Sequence, residues 1–196
     1  MINSIFEDKK SDYAYFLPLG GSGEIGMNLN LYGYKNKWLI VDCGVSFKDS
    51  KVIGADVFMP NIDAIIENKL NVCGMFITHA HEDHIGGVHH LWPFIKCPIY
   101  TTPFSGHLLK QRLIDYGLLD KVDLNIVNKE SKFDIGPFKL ELINISHSIL
   151  EANSVLITLG NKKFFHTGDW KIDNDPEIGN KPNSKRLKEI GKSGVS

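Results

Sequence analysis

The stretch Thr78-His79-Ala80-His81-Glu82-Asp83-His84-Ile85-Gly86-Gly87 places three histidines and an aspartate within six positions and follows them at once with two glycines. It comes directly after the apolar run Met75-Phe76-Ile77, which reads as the end of a buried strand. The cluster therefore falls on the loop where that strand stops. Imidazole nitrogen and carboxylate oxygen are the donors that zinc, manganese and iron prefer. Crowded on one short loop they would repel or desolvate one another unless a cation paired them. Four of them point past a single ion to two.

The rest of the composition narrows the setting. A chain of 196 residues is long enough for one substantial core and short for two. No apolar run approaches the roughly 18 residues that span a bilayer. Met1 to Ser11 carries Glu7, Asp8, Lys9 and Lys10 and lacks the apolar centre of a secretory signal, so a cytoplasmic protein without a membrane partner is expected. Cys43, Cys73 and Cys97 are odd in number and widely spaced. They suggest neither a disulfide framework nor a cysteine-zinc site, and read as buried small hydrophobes. A net charge of -1 gives no basic excess of the kind that marks a nucleic-acid surface.

Residues 1–12 read as a flexible tail. Ala14 to Leu17 reads as a strand running into Gly20-Gly21-Ser22-Gly23-Glu24-Ile25-Gly26, a formal match to the dinucleotide-binding glycine pattern. That pattern needs a helix at its last glycine, whereas Asn28 to Tyr34 alternates like a strand, so the nucleotide reading is set aside. Lys35-Asn36 signals a hairpin, and Lys37 to Val41 is a strand ending at Asp42. Residues 46–60 read as loop, Asn61 as the N-cap of a short helix, and Val72 to Thr78 as the strand that feeds the histidine cluster. Apolar residues Ile85, Val88, Leu91, Trp92 and Ile95 predict one helix over 85–95, and a second helix runs from Phe104 to Tyr116, closed by Gly117. Strands follow at 122–127, 138–145, 154–159 and 163–166. Residues 174–196 are polar with no clear strand. The order of elements predicts two sheets with helices on their outer faces.

Metal ligands from one loop need partners from other strand ends, and His147 and Asp169 occupy such positions. With them in place, the chain resembles the metallo-β-lactamase superfamily. His79, His81, Asp83 and His84 match its H-x-H-x-D-H motif, and Asp42, His147 and Asp169 stand at its other motif positions. Pro18 to Asn28, His147-Ser148-Ile149 and Thr167-Gly168-Asp169-Trp170-Lys171 narrow the resemblance to the ribonuclease J family of β-CASP nucleases, over residues 13–196.

The resemblance implies an α/β fold, the metallo-β-lactamase αββα sandwich, here truncated to its N-terminal part over 13–173. Residues 174–196 would lead to an absent β-CASP insertion. It implies two divalent metal ions, zinc or alternatively manganese. His79, His81 and His147 would hold one, Asp83 and His84 the other, and Asp169 would bridge them, with Asp42 supporting the loop. Asp83 and Asp169 would act in catalysis, and Lys171 is a candidate phosphate contact. The implied reaction is hydrolysis of RNA by water activated between the ions. A further histidine and the RNA groove belong to parts of that family not in this chain, so the second site is expected to be incomplete and the chain weakly active alone. A small-molecule hydrolase on the same fold, or a non-catalytic fragment, is the alternative. Exposed sheet edges would favour self-association. Where many relatives have proline after His-Ser-Ile, this chain has Leu150. His89, His90 and His107 read as surface or partner-bonded residues. By alternation His166 aims away from the metals, and Glu82 reads as solvent-facing.

Overall fold

The computed structural model describes residues 12–47 and 54–195. Most of the expected tail and part of the 46–60 loop lie outside these residues. Asp12 itself accepts from the Tyr34 hydroxyl at 2.7 Å and from Lys162 at 2.9 Å.

The first sheet grows from a meander. Strands β1 (Ala14–Gly20), β2 (Leu29–Tyr34) and β3 (Lys37–Val41) pair antiparallel. Lys35 and Asn36 both adopt positive φ, 50° and 57°, the conformation of a tight hairpin turn whose twist matches its strands. A short hairpin, β4 (Ser46–Phe47) with β5 (Val57–Phe58), follows. Helix α1 (Asp63–Glu67) then leads to β6 (Val72–Ile77), which lies parallel to β3 with Val41 opposite Phe76. The N-cap position is Ile62, not the expected Asn61, which stands one residue before it and accepts the Asp63 main-chain N–H at 2.8 Å. Strand β7 (Ile99–Thr101) and β8 (Leu124–Ile126) extend the sheet in parallel, giving the order β1-β2-β3-β6-β7-β8. No helix opens at Gly26, as β2 requires.

The region expected as one helix is two: α2 (Glu82–Ile85) and α3 (Val88–Ile95), separated by Gly86 and Gly87. The main-chain N–H of Gly87 bonds to the Cys43 carbonyl at 2.9 Å, which draws the chain against the β3 end and breaks the helical register. Helix α4 (Pro103–Asp115) connects β7 to β8. Strands β9 (Lys132–Ile135), β10 (Phe138–Asn144), β11 (Asn153–Leu159) and β12 (Lys162–His166) form a second, antiparallel sheet.

Strand alternation sorts the side chains into layers. On one face of the first sheet Trp38, Ile40, Met75 and Ile77 pack with Ile65, Val88, Leu91, Leu109 and Leu113 of the helices. On the other face Leu39, Val41 and Phe76 meet Leu140, Leu142, Val155, Ile157 and Leu159 of the second sheet. The outer face of the second sheet buries Ile143 and Leu156 under Ile190 of α5 (Ser184–Ser193). The layers are thus helix, sheet, sheet, helix. Helix α5 lies within the polar stretch 174–196, where no clear strand is expected and no helix is predicted, and Asn183 caps it by accepting the Arg186 main-chain N–H at 3.0 Å.

Candidate metal centre

Parallel strands β3 and β6 end side by side. The Asp42 main-chain N–H bonds to the Phe76 carbonyl at 2.9 Å, and the Asp42 carboxylate, wholly buried, receives the Thr78 N–H at 2.8 Å and the Thr78 hydroxyl at 2.9 Å. Its second oxygen lies 2.7 Å from His84 Nδ1. This carboxylate thus ties down both ends of the histidine loop and fixes the His84 ring with Nε2 facing outward. Asp42 itself sits at φ 65°. Gly44 lets the loop close over it, because a Cβ there would stand 1.7 Å from the Asp83 carbonyl oxygen.

Three imidazoles converge. His79 Nε2 lies 3.1 Å from His81 Nδ1, which lies 3.0 Å from His147 Nε2. His147 comes from the loop after β10, so this group joins the two sheets. A second convergence holds His84 Nε2, Asp169 Oδ1 at 3.4 Å and Asp83 Oδ2 at 3.6 Å. Asp169, in the loop after β12, stands between the groups, its other oxygen 3.9 Å from His147 Nε2. His79 also falls within 4.8 Å of His84 and Asp169. It has one nitrogen to give, since its Nδ1 faces the Thr78 hydroxyl at 3.0 Å, and that nitrogen already points at His81.

The electrostatics suit cations. Burial, then the neighbouring His84, pushes the His79 pKa down to about 3, and burial with His81 lowers that of His147, so both keep neutral lone pairs. The hydrogen bond from His84 holds Asp169 ionised, with its pKa down to about 2. Burial opposes a charge on His84, yet the Asp42 and Asp169 carboxylates raise its pKa to about 10. Neutral imidazoles at His79 and His147 beside the ionised Asp169 form a donor set that fits divalent metal ions, and His84 would release its proton as an ion binds.

Other residues fall differently. His166 does not aim clear of the centre: its Nδ1 lies 3.0 Å from the Tyr32 hydroxyl and its Nε2 3.9 Å from the Asp42 carboxylate, behind the donors. Glu82 is not merely solvent-facing, for both its oxygens engage the Arg112 guanidinium of α4. His89 is buried against the rings of His90 and Tyr116, at centroid distances of 4.0 and 4.1 Å, and with His90 and His107 stays outside the donor groups. Lys171 is exposed and borders an open cavity of about 420 Å³ with Ser146, His147 and Asp173. Sequence reasoning passed over Asn28, whose amide bonds to the Asp83 carbonyl at 3.0 Å and lies 3.1 Å from His84 Nε2. It also passed over Asn153, which donates to the Thr78 carbonyl at 3.3 Å. Asn28 stands just ahead of β2, two residues after Gly26, and Asn153 opens β11, six residues after His147, so both lie at strand starts near the motifs.

Residues 37–183 match the family described as Beta-lactamase superfamily domain. The chain belongs to that superfamily. Its fold is the metallo-β-lactamase fold. Among solved structures of similar fold, the metallo-β-lactamase fold protein YhfI from Bacillus subtilis superposes with a TM-score of 0.54 at 16% identity, over 81% of this chain and 63% of that one. Zinc-bound PqqB from Methylobacterium extorquens gives a TM-score of 0.59 at 12% identity, over 78% of this chain and 64% of that one. In sequence, the chain is 39% identical to a ribonuclease J from Sinorhizobium meliloti over 92% of its own length and 33% of that protein. It is 31% identical to one from Thermus thermophilus, over 94% of its own length and 33% of that protein. It therefore spans about a third of the length of these relatives. Among the described residues no helix is long and apolar enough to cross a membrane.

Proposed function

We propose that this chain is the metal-holding part of a cytoplasmic, metal-dependent ribonuclease. The observation that carries the reading is Asp169 standing between His147 and His84, so that one carboxylate serves two convergent donor groups. The identity to proteins named ribonuclease J across more than nine-tenths of the chain supports RNA as the substrate.

His79, His81 and His147 would hold one divalent ion and Asp83 with His84 the other, Asp169 being shared. Zinc suits this mixed nitrogen and oxygen set, with manganese as the alternative. Bound there, such ions acidify water towards neutrality and offset charge that builds on phosphoryl oxygens. The chain's own residues orient the donors. Asp42, 2.7 Å from His84 Nδ1, would hold the ring proton there when an ion displaces the one on Nε2, leaving the Nε2 lone pair towards the centre, while Asn28 holds the Asp83 main chain. Lys171 offers an ammonium to a phosphate at the mouth of the cavity. The second donor group has one imidazole against three in the first, so it binds its ion less tightly in this chain. By resemblance, a further histidine and the RNA groove lie in the remaining length of a ribonuclease J-like protein.

Elemental analysis after dialysis against a weak chelator is expected to find one ion retained per chain and a second lost. The full-length protein is expected to cleave 5′-monophosphorylated RNA and to lose that activity on His79→Ala. Two tightly held ions with processive RNA degradation by the chain alone would contradict the division of labour. Thioester or lactone hydrolysis by the full-length protein without RNA cleavage would replace the nuclease reading with that of a small-molecule hydrolase.

A further inference from the structure

Helix α4 touches both loops that carry the metal donors, and touches each through a charged side chain. At its start, the Phe104 main-chain N–H, one of the donors a helix leaves unpaired in its first turn, bonds to the Glu151 carboxylate at 2.8 Å. Thr102, the N-cap, provides no side-chain cap of its own. Glu151 lies four residues after His147, and its side chain is only 10% exposed. It is held at φ 59°, a conformation that costs a residue with a Cβ on the order of 1 kcal/mol unless its surroundings impose it. In the last turn of the same helix, Arg112 forks onto Glu82, the residue between His81 and Asp83. The two attachment points are eight residues apart, about 12 Å along a helical axis.

Stability does not account for the second clamp. Glu82 and Arg112 are 43% and 27% exposed, and ion pairs so open to water contribute little to folding. A two-point fork does fix direction, however, and it fixes it on a loop whose neighbouring side chains must converge to within tenths of an ångström. Asn153 adds a direct tie between the loops by donating to the Thr78 carbonyl, next to His79.

We propose that α4 is a strut that sets the spacing of the two donor loops, with Glu151 and Arg112 as positioning residues for metal capture. The inference rests on the metal-centre reading above. Removing the clamp at Glu151 lets His147 swing away from His79 and His81. Removing Arg112 lets the α2 end of the histidine loop rotate. Neither side chain coordinates the ion.

The test is zinc affinity of the chain, by competition with a chromophoric chelator, together with the visible spectrum of the cobalt-substituted form. Arg112→Met removes one clamp. Glu151→Asn removes the other while tolerating the left-handed backbone, because asparagine is too short to reach Phe104. Each is expected to weaken zinc about tenfold, the lower end of what losing an outer partner costs a metal site. Glu151→Asn should also shift the cobalt spectrum as an imidazole leaves. Glu151→Gln, which keeps an acceptor oxygen at the same reach, should restore both readouts. Lys129→Ala removes the 2.9 Å ion pair to the other Glu151 oxygen, leaves the clamp in place and should bind zinc normally. Unchanged affinity and spectrum in both clamp variants would overturn the strut. So would an equal loss of affinity in Ile190→Ala, which loosens the fold far from the centre. If the unsubstituted chain binds no zinc, manganese or cobalt, the metal-centre reading itself fails, a result distinct from either.

Discussion

Asp42 concentrates the argument at the scale of the residue. It has no exposure to solvent, yet it stays ionised, because the opposing effect of burial is outweighed by His84 and its hydrogen bond. Asp42→Asn keeps the shape and the left-handed backbone, which asparagine tolerates. Its amide N–H₂ turned to His84 would drive the imidazole proton onto Nε2, the atom that faces the donor group. Zinc affinity is therefore expected to fall about 10–100-fold with the apo fold intact, measured by chelator competition and circular dichroism. Gly44→Ala is expected to do worse. Its Cβ would sit 1.7 Å from the Asp83 carbonyl, so the histidine loop could not close, and the variant should fail both metal binding and soluble expression. The candidate donors of the histidine loop stand out because they recur at short spacing after a strand, and Asp42 because the strand Lys37–Val41 stops at it. Glu82 was misjudged for the opposite reason: its partner Arg112 lies 30 residues away, beyond any local pattern.

Helix α5 makes the corresponding point for elements. Of its ten residues only Leu187 and Ile190 bring large apolar side chains to the second sheet, too few to show a period in a lysine-rich stretch. What fixes it is the sheet it covers. Arg186 bonds to Glu141 of β10 through Nε at 2.6 Å and through its second terminal nitrogen at 2.9 Å. Ile190→Ala is expected to cost about 2 kcal/mol, the low end for a buried isoleucine because the cluster is small and can collapse. The pair with Arg186 should show in the pH dependence. The hydrogen bond from Arg186 lowers the Glu141 pKa in the folded chain, so its stabilisation is present above the usual glutamate pKa of about 4.3 and is lost as pH falls through the lowered value. Arg186→Ala should accordingly be less stable than the parent by at most about 1 kcal/mol at pH 7, the pair being partly exposed. Urea unfolding of the two proteins should coincide near the acid end, once Glu141 is protonated in both.

Across the whole molecule, the two sheets meet through one apolar layer and through the candidate metal donors, which come from both. His79, His81, Asp83 and His84 hang from β6 of the first sheet, and His147 and Asp169 follow β10 and β12 of the second. The layered architecture could be read from the order of elements, and the structure fills it by alternation, with Leu39 and Val41 facing one way while Trp38 and Ile40 face the other. That the donors stitch the layers together could not, since strand order within a sheet is not written in local periodicity. An ion held by His79, His81 and His147, as proposed above, would therefore act as a cross-link between sheets. At a free concentration one hundred times its dissociation constant it should stabilise the chain by about 2.7 kcal/mol, which for a domain of this size raises the unfolding midpoint by roughly 5–10 °C. The gain should be uneven. Hydrogen exchange with and without zinc is expected to slow most at 147–153 and 167–171, the loops that reach across from the second sheet. Strands β2 and β3, whose main-chain ladders lie within the first sheet, should respond only through the global change. A uniform slowing across both sheets would mean that the ion stabilises the fold without bridging it, and would place the His147 loop firmly in position before any metal arrives.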